Sequence, residues 1–497
     1  MQSSTTSRHK RSTGLERLTD SRLLREFAYV DGTWRASGSG RSISVTDPGN
    51  GEWLGQVPAL TAGESAQAIA AAERAFPAWS WLPPQERARL LRNWFDEITA
   101  NREDLAALMT LEQGKPLSEA RGEIDYAASF VEFYAEEAKR TNIESITSHL
   151  PGALMQVRRQ PMGVAALVTP WNFPSAMITR KAAAALAAGC TTVVHPSHQT
   201  PFSALALAEL AERAGLPAGV FNVVTGEASE VVAPMTESSA VRVLSFTGST
   251  EIGRLLYRQS AATMKTLILE LGGHAPFLLF ADADLDRAVD CAVSAKFATS
   301  GQDCLAANRI LVERPVYDEF VARYAERVRA LTVGHGLSDP AIGPLMNEAA
   351  VRKQEEHVAD ALAKGARLIA GGKRHKAGPL FFQPTLLADV PSDALILREE
   401  TFGPVAAVAA FDSEAEALQR ANHTEYGLVA YLHTRDQGRV ARLTAGLQYG
   451  MVAINRTKIT GAPIPFGGVK QSGLGREGSR LGMEAFMDVK YICQDAA

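Results

Sequence analysis

The chain runs to 497 residues with a formal net charge of −4, and 46% of its residues are apolar against 21% charged. That length implies about two to four domains, and the charge balance excludes a nucleic acid or an anionic membrane surface as the main partner. No run of about 18 apolar residues offers a membrane span, and the four cysteines, Cys190, Cys291, Cys304 and Cys493, form no CxxC, so neither a disulfide framework nor a metal site is expected.

In chain order, the first 14 residues, "MQSSTTSRHKRSTG", are basic, rich in Ser and Thr, and free of acids. Without an amphipathic Arg pattern or an apolar secretory core they read as a flexible tail, taken to residue 20, on a cytoplasmic protein. From 64 to 140 apolar residues recur at helical spacing. "ESAQAIAAAERAFPAWS" is one helix, "RARLLRNWFDEITANREDLAALMTLEQG" a second stopped by Gly114, and "GEIDYAASFVEFYAEEAKR" a third. The texture then changes. "GVAALVTP", "TTVVHP", "GVFNVVTG", "AVRVLSFTG" and "TLILELGG" read as buried strands. Helices lie between them, such as "MITRKAAAALAAGC", closed by Gly189, and "FSALALAELAERAG", with Thr200 as its expected cap and Pro201 as its first residue. This alternation predicts a doubly wound α/β domain. After Gly273 a second α/β series begins, with "APFLLF", "NRILVE", "GARLIAGG", "VAAVAAF" and "GMVAIN" as strands.

Candidate chemistry gathers at strand ends, where open α/β sheets place their sites. Cys304, in "TSGQDCLAANRI", sits on a small-residue turn between helix and strand. Such a thiol is either a buried structural residue or, as thiolate, a nucleophile. Glu270 ends the strand of "LELGG" and can act as a general base, or make a cap or a surface pair. Asn172, in "TPWNFP", can donate to a developing oxyanion, or simply make a turn. Gly248 and Gly253, in "SFTGSTEIGR", can open a helix N-terminus to a phosphate, although the spacing is not GxGxxG. His195 and His198, in "TTVVHPSHQTP", stand on a strand-to-helix turn without a third ligand nearby in sequence, so they do not read as a metal site.

Together, "TPWNFP", "FTGSTEIG", "LELGG", "GQDC", "EETFGP" and "PFGGVKQSG", in that order, resemble the aldehyde dehydrogenase superfamily from about Tyr29 to the C-terminus. "PSAMITRKAAAALAAGC", "TPFSALALAELAERAGLPAGVFNVVTG" and "PFGGVKQSGLGREGS" are most similar to its succinate-semialdehyde dehydrogenase branch. The resemblance implies an α/β fold with a Rossmann-type cofactor domain over 21–140 and 161–271 and an α/β catalytic domain over 272–470. A small β oligomerisation element over 141–160 and 471–497 completes it, in a homodimer or homotetramer. It implies Cys304 as nucleophile toward the aldehyde and Asn172 with the Cys304 N–H as oxyanion donors. Glu270 would activate water on the thioester, with Lys181 near the proton path. Coenzyme-A-acylating relatives generally lack the base at 270. The implied cofactor is NADP+ or NAD+, held by Thr169, Pro170, Trp171, His195, Ser197, His198, Gly248, Ser249, Gly253 and Leu271, with Glu400 and Phe402 at the nicotinamide ribose and ring.

Three departures from the family pattern bear on specificity. Lys and Glu usually stand at 195 and 198. Here both are His, and His198 does not repel a 2′-phosphate as Glu would, so the expected lean is toward NADP+. Asp303 precedes the nucleophile where the branch usually carries Thr. Adjacent side chains point apart in extended chain, so only a modest rise of the thiol pKa is expected. The branch grips a distal carboxylate with two arginines and a serine. Arg180 matches the first, but Ala298 and Gly461 replace the others, in a pocket that also holds Phe466. The expected substrate is therefore an aldehyde with a bulkier or less charged tail than succinate semialdehyde, such as the pyridine semialdehyde of the 4-oxo-4-arylbutanal class. Succinate semialdehyde itself is the alternative. A catalytically silent protein on the same fold is disfavoured by the retention of Cys304, Asn172 and Glu270.

Overall fold

In the computed structural model, which describes residues 11–141 and 143–496, two large sheets face a common cleft. In the first, five parallel strands lie in the order Thr266–Glu270, Val241–Thr247, Val164–Val168, Thr191–His195, Phe221–Val223. The last three are buried at every position, which is why they read as short apolar runs. From Val164–Val168 the chain steps outward in one direction, then returns to the other side with Val241–Thr247. The crevice of a doubly wound sheet opens at that reversal, beyond the strands' C-terminal ends. Antiparallel strands finish both edges: Ala28–Val30 and Thr33–Arg35 on one side, Gly473–Leu474 on the other. The segment from 471, expected in the oligomerisation element, thus begins inside the cofactor sheet.

The second sheet runs Arg367–Ala370, Thr385–Ala388, Val405–Phe411, Ala307–Glu313, Ala275–Leu279, Val429–His433, Met451–Ile454, parallel except for its first pair. A smaller antiparallel sheet joins Met487–Asp495, Ala153–Pro161 and Glu144–Ile146. It leaves Ile146, Leu154, Val489 and Tyr491 exposed.

Three local expectations need correction. The long helix ending at Gly114 is two helices, Pro84–Ala100 and Arg102–Gln113. Asn101 breaks it at φ −102° and ψ 18°, with its side-chain amide donating to Glu97 O at 2.8 Å in place of helix continuation. Gly114 stops the second helix at φ +94°. Thr200 precedes Pro201 as expected but caps nothing with its hydroxyl. The Glu112 carboxyl takes that place, accepting from Phe202 N and Ser203 N at 2.7 Å each. Residues 11–20 are not a loose tail. Leu15 and Leu18 pack on the main core, Ser12 N donates to Trp53 O at 2.8 Å, and Asp104 accepts from Thr19 N at 2.9 Å and Asp20 N at 2.7 Å.

Candidate active site

After helix Leu285–Phe297 the chain passes through three left-handed residues, Thr299 (φ 51°), Ser300 (φ 57°) and Gly301 (φ 72°), before reaching Cys304. A β-branched residue rarely adopts this conformation, and it persists only where its surroundings hold it. Here the Glu119 carboxylate accepts from Thr299 N at 2.9 and 3.1 Å, and Ser300 Oγ accepts from Gly343 N at 2.9 Å while donating to Gly343 O at 3.1 Å. The turn presses the Cys304 carbonyl onto Gly273, where an added Cβ would collide with it. Cys304 remains partly exposed, and its N–H has no internal partner among the described residues. Burial, then the Asp303 carboxylate, push its thiol well above the usual range. The direction expected for Asp303, a rise of the thiol pKa, is the one found, and it comes second to burial. The chain is turned here, not extended; Asp303 Oδ1 accepts from Leu305 N at 3.0 Å, and the carboxylate comes within hydrogen-bonding reach of the thiol.

Asn172 follows strand Val164–Val168 and donates from Nδ2 to Gln302 O at 3.0 Å, which ties it to the Cys304 turn. Its own carbonyl accepts from Lys115 Nζ at 2.8 Å. Lys115 is ion-paired with buried Glu123 and lies 4.1 Å over the Phe173 ring. Glu123 also accepts from Ser175 N at 3.0 Å and Ala176 N at 3.1 Å, at the start of helix Ala176–Ala188. Glu270 ends its strand with both carboxylate oxygens buried and without a hydrogen-bond partner among the described residues, and burial raises its pKa well above the usual range. Gly467 lies so close that a Cβ there would stand 2.7 Å from Glu270 Oε1. A buried carboxyl with nothing bonded to it fits a base that works on water.

Arg180 and Lys181 are consecutive, and both are buried. Lys181 Nζ donates to Thr247 Oγ1 at 2.7 Å and to Glu477. Arg180 Nε lies 2.6 Å from Glu477 Oε2, with its guanidinium 4.1 Å over the Phe466 ring. Burial works against the charge on Glu477, but Lys181 and Arg180 outweigh it and hold the carboxyl below its usual range. Arg180, expected at a substrate carboxylate, thus shares the one Glu477 carboxylate with Lys181. Arg180, Ala298, Asp303, Gly461 and Phe466 nevertheless come together with Cys304, lining one cavity of about 750 Å³.

The cofactor candidates follow the crevice of the first sheet. Thr169, Pro170 and Trp171 succeed strand Val164–Val168; Thr169 N donates to His195 O at 3.1 Å, and its hydroxyl is buried without a partner. His195 Nδ1 lies 3.1 Å from Val224 O. Burial pushes this imidazole down to about 4, so it is neutral at pH 7. Ser197 Oγ accepts from Gln199 N at 3.2 Å, and His198 is exposed. Gly248 N donates to Glu270 O at 3.1 Å, and Ser249 caps helix Thr250–Ser260 by accepting from Ile252 N at 3.3 Å. Gly253 lets that helix rest on Leu271, which any Cβ at 253 would strike. From the second sheet's side, Glu400 Oε1 accepts from Gly273 N at 2.9 Å, while Phe402 meets Trp171 edge-on at 5.5 Å. Burial raises Glu400 to about 7. An unpartnered hydroxyl at 169 and a Glu400 oxygen still open suit ribose hydroxyls, so these residues fit a dinucleotide.

Against known proteins, the sequence matches the aldehyde dehydrogenase family over residues 34–492. The chain belongs to that family. This aldehyde dehydrogenase is 55% identical over 478 residues to the Escherichia coli protein named succinate-semialdehyde dehydrogenase (NADP+) GabD, covering 96% of this chain and 99% of that one. It is 54% identical over 480 residues to a Halomonas elongata protein named aspartate-semialdehyde dehydrogenase (non-phosphorylating), covering 96% and 97%. A crystal structure described as an E. coli NADP dependent enzyme matches with a TM-score of 0.95 at 54% identity, covering 96% of this chain and 100% of that one. The expected α/β fold, superfamily and branch all stand, and the enzyme is an NAD(P)+-dependent oxidoreductase acting on aldehydes. Among the described residues no helix is long and apolar enough to cross a membrane.

Several working parts of this aldehyde dehydrogenase carry no motif. Lys115 simply follows a helix stop, and Glu123 looks like any acid on an amphipathic helix. Tyr126, Lys458 and Thr460 line the cavity from segments without a signature.

Proposed function

We propose that the enzyme oxidises a semialdehyde whose tail is bulkier or less charged than that of succinate semialdehyde, giving the carboxylic acid. The observation that carries this reading is the cavity of about 750 Å³ at Cys304, in whose wall Ala298 and Gly461 bring no donor while Glu477 already pairs Arg180. Such a volume lies in the range that holds drug-sized ligands. A short distal carboxylate would meet Asp303 and Glu119 in the same wall and remain under-paired, at a cost of about 1–3 kcal/mol. The names of the two relatives, a succinate- and an aspartate-semialdehyde dehydrogenase, support the semialdehyde class.

In this reading the partly exposed thiol of Cys304 gives its proton to solvent water and Sγ bonds to the aldehyde carbon, while the carbonyl oxygen takes the displaced electron pair. That oxygen is stabilised by the Cys304 N–H and by the second amide hydrogen of Asn172, whose first is engaged by Gln302 O. Bound NAD(P)+ supplies the hydride acceptor. Glu270 then takes a proton from water as the water oxygen bonds to the thioester carbon. The C–S bond breaks, and the acid leaves. NADP+ is the favoured cofactor because no carboxylate stands at 195 or 198. A dimer or tetramer built through the small sheet, in the cytoplasm, completes the proposal.

Steady-state rates test the substrate. We expect a higher kcat/KM for a 4-oxo-4-arylbutanal than for succinate semialdehyde, and the reverse order would sink the reading.

A further inference from the structure

Bulk alone does not say what meets the far end of the tail. Lys458 lies in the loop after strand Met451–Ile454, lines the same cavity as Cys304, and is exposed where Cys304 is partly buried. The other charged groups of that wall are engaged. Glu477 holds Arg180, Lys115 holds Glu123, and Arg102 holds Asp125 at 2.6 Å. Glu119 accepts from Thr299 N, and Asp303 from Leu305 N. Among the described lining residues, Lys458 is the one charged side chain with neither a hydrogen bond nor an ion pair.

We infer that Lys458 reads a hydrogen-bond acceptor, a carboxylate or a ring nitrogen, at the far end of a tail longer than that of succinate semialdehyde. This rests on the bulky-tail reading above. An ammonium offers three donors on a flexible stem, so it can follow an acceptor whose position varies with the tail. The wall beside it is open, since a Cβ at Gly461 would touch only Pro463 Cδ, at 3.6 Å. The cavity thereby divides its recognition. Near the thiol each charged side chain is held by a partner within the fold, whereas among the described lining residues Lys458, on the solvent side, is not.

The test compares wild type with Lys458→Met on four aldehydes: succinate semialdehyde, adipate semialdehyde, 4-oxo-4-(3-pyridyl)butanal and 4-oxo-4-phenylbutanal. An exposed cation is screened, so the expected loss in kcat/KM is about three- to tenfold for the adipate or the pyridyl substrate. The phenyl substrate, which has the same bulk but no terminal acceptor, should stay within about twofold and serves as the control for folding. Lys458→Arg should restore most of the loss. A loss on the adipate substrate that fades with added salt identifies an anion as the acceptor; a loss on the pyridyl substrate at every salt concentration identifies a neutral ring nitrogen. Equal losses on phenyl and acceptor-bearing tails, or no loss on either, would overturn the role of Lys458. Wild type favouring succinate semialdehyde over all three longer tails would instead overturn the bulky-tail reading, and the adipate-to-phenyl comparison would still judge Lys458.

Discussion

Asp303 places a carboxyl group beside Cys304, the proposed nucleophile. Because burial and this charge both raise the thiol, little thiolate exists at pH 7. Asp303→Asn keeps an oxygen for Leu305 N and removes only the charge, so the thiol pKa should fall. Alkylation of Cys304 by iodoacetamide, followed against pH, should move its midpoint downward and speed up at pH 7. An unchanged profile would mean that the Asp303 charge does not reach the sulfur. At the cofactor end, buried His195 is neutral and hydrogen-bonded to Val224 O, which leaves exposed His198 as the side chain to test for the proposed NADP+ preference. His198→Glu should shift the ratio of kcat/KM for NAD+ over NADP+ upward by about tenfold, the effect of one repelled phosphate near the surface. A constant ratio would assign the discrimination elsewhere.

Helix Pro201–Arg213 takes its N-terminal cap from a carboxyl group on a neighbouring helix. Glu112 is fully buried, and burial raises its carboxyl to about 8 despite the two N–H groups that favour its charge. The unfolded carboxyl titrates near 4.5. Between about pH 4.5 and 8 the folded state therefore holds a proton that the unfolded state releases, and the contribution of Glu112 declines as pH rises through that window. Glu112→Gln should flatten this part of a stability-versus-pH curve measured by urea unfolding, whereas Glu112→Ala should cost about 1–3 kcal/mol for each amide left unpaired. Identical slopes for wild type and the Gln variant would show that Glu112 stays ionised throughout. This cap also marks what the sequence could convey. Strands buried on both faces, such as Val164–Val168 and Val405–Phe411, stand out as apolar runs. Thr33–Arg35, a short edge strand with two exposed residues of three, leaves no pattern. Cys304, Asn172 and Glu270 belong to ordered motifs. Glu112 and Glu477 act on amides and cations distant in the chain, and no local spacing encodes such a contact.

At the scale of the whole molecule, the small sheet carries an outer strand, Met487–Asp495, with Val489 66% and Tyr491 53% exposed. An open edge with apolar side chains invites pairing with a second copy unless it is covered. Val489→Glu should therefore shift the enzyme toward smaller species in light scattering coupled to size exclusion. A mass identical to wild type would overturn the proposed assembly through the small sheet.

The Glu477 contact also orders events in time. It joins Lys181 to a residue 296 positions later, and strand Gly473–Leu474 closes the sheet edge at Thr266–Glu270 from the same late segment. On the ribosome, at about 5–20 residues per second, the two cations wait roughly 15–60 s for their anion, and the open edge at Thr266–Glu270 waits roughly 10–40 s for its partner strand. The unfinished chain is thus a natural client for chaperones. A stop codon before Gly473 would spare every residue that reacts with the aldehyde, yet leave the sheet that positions them permanently unfinished.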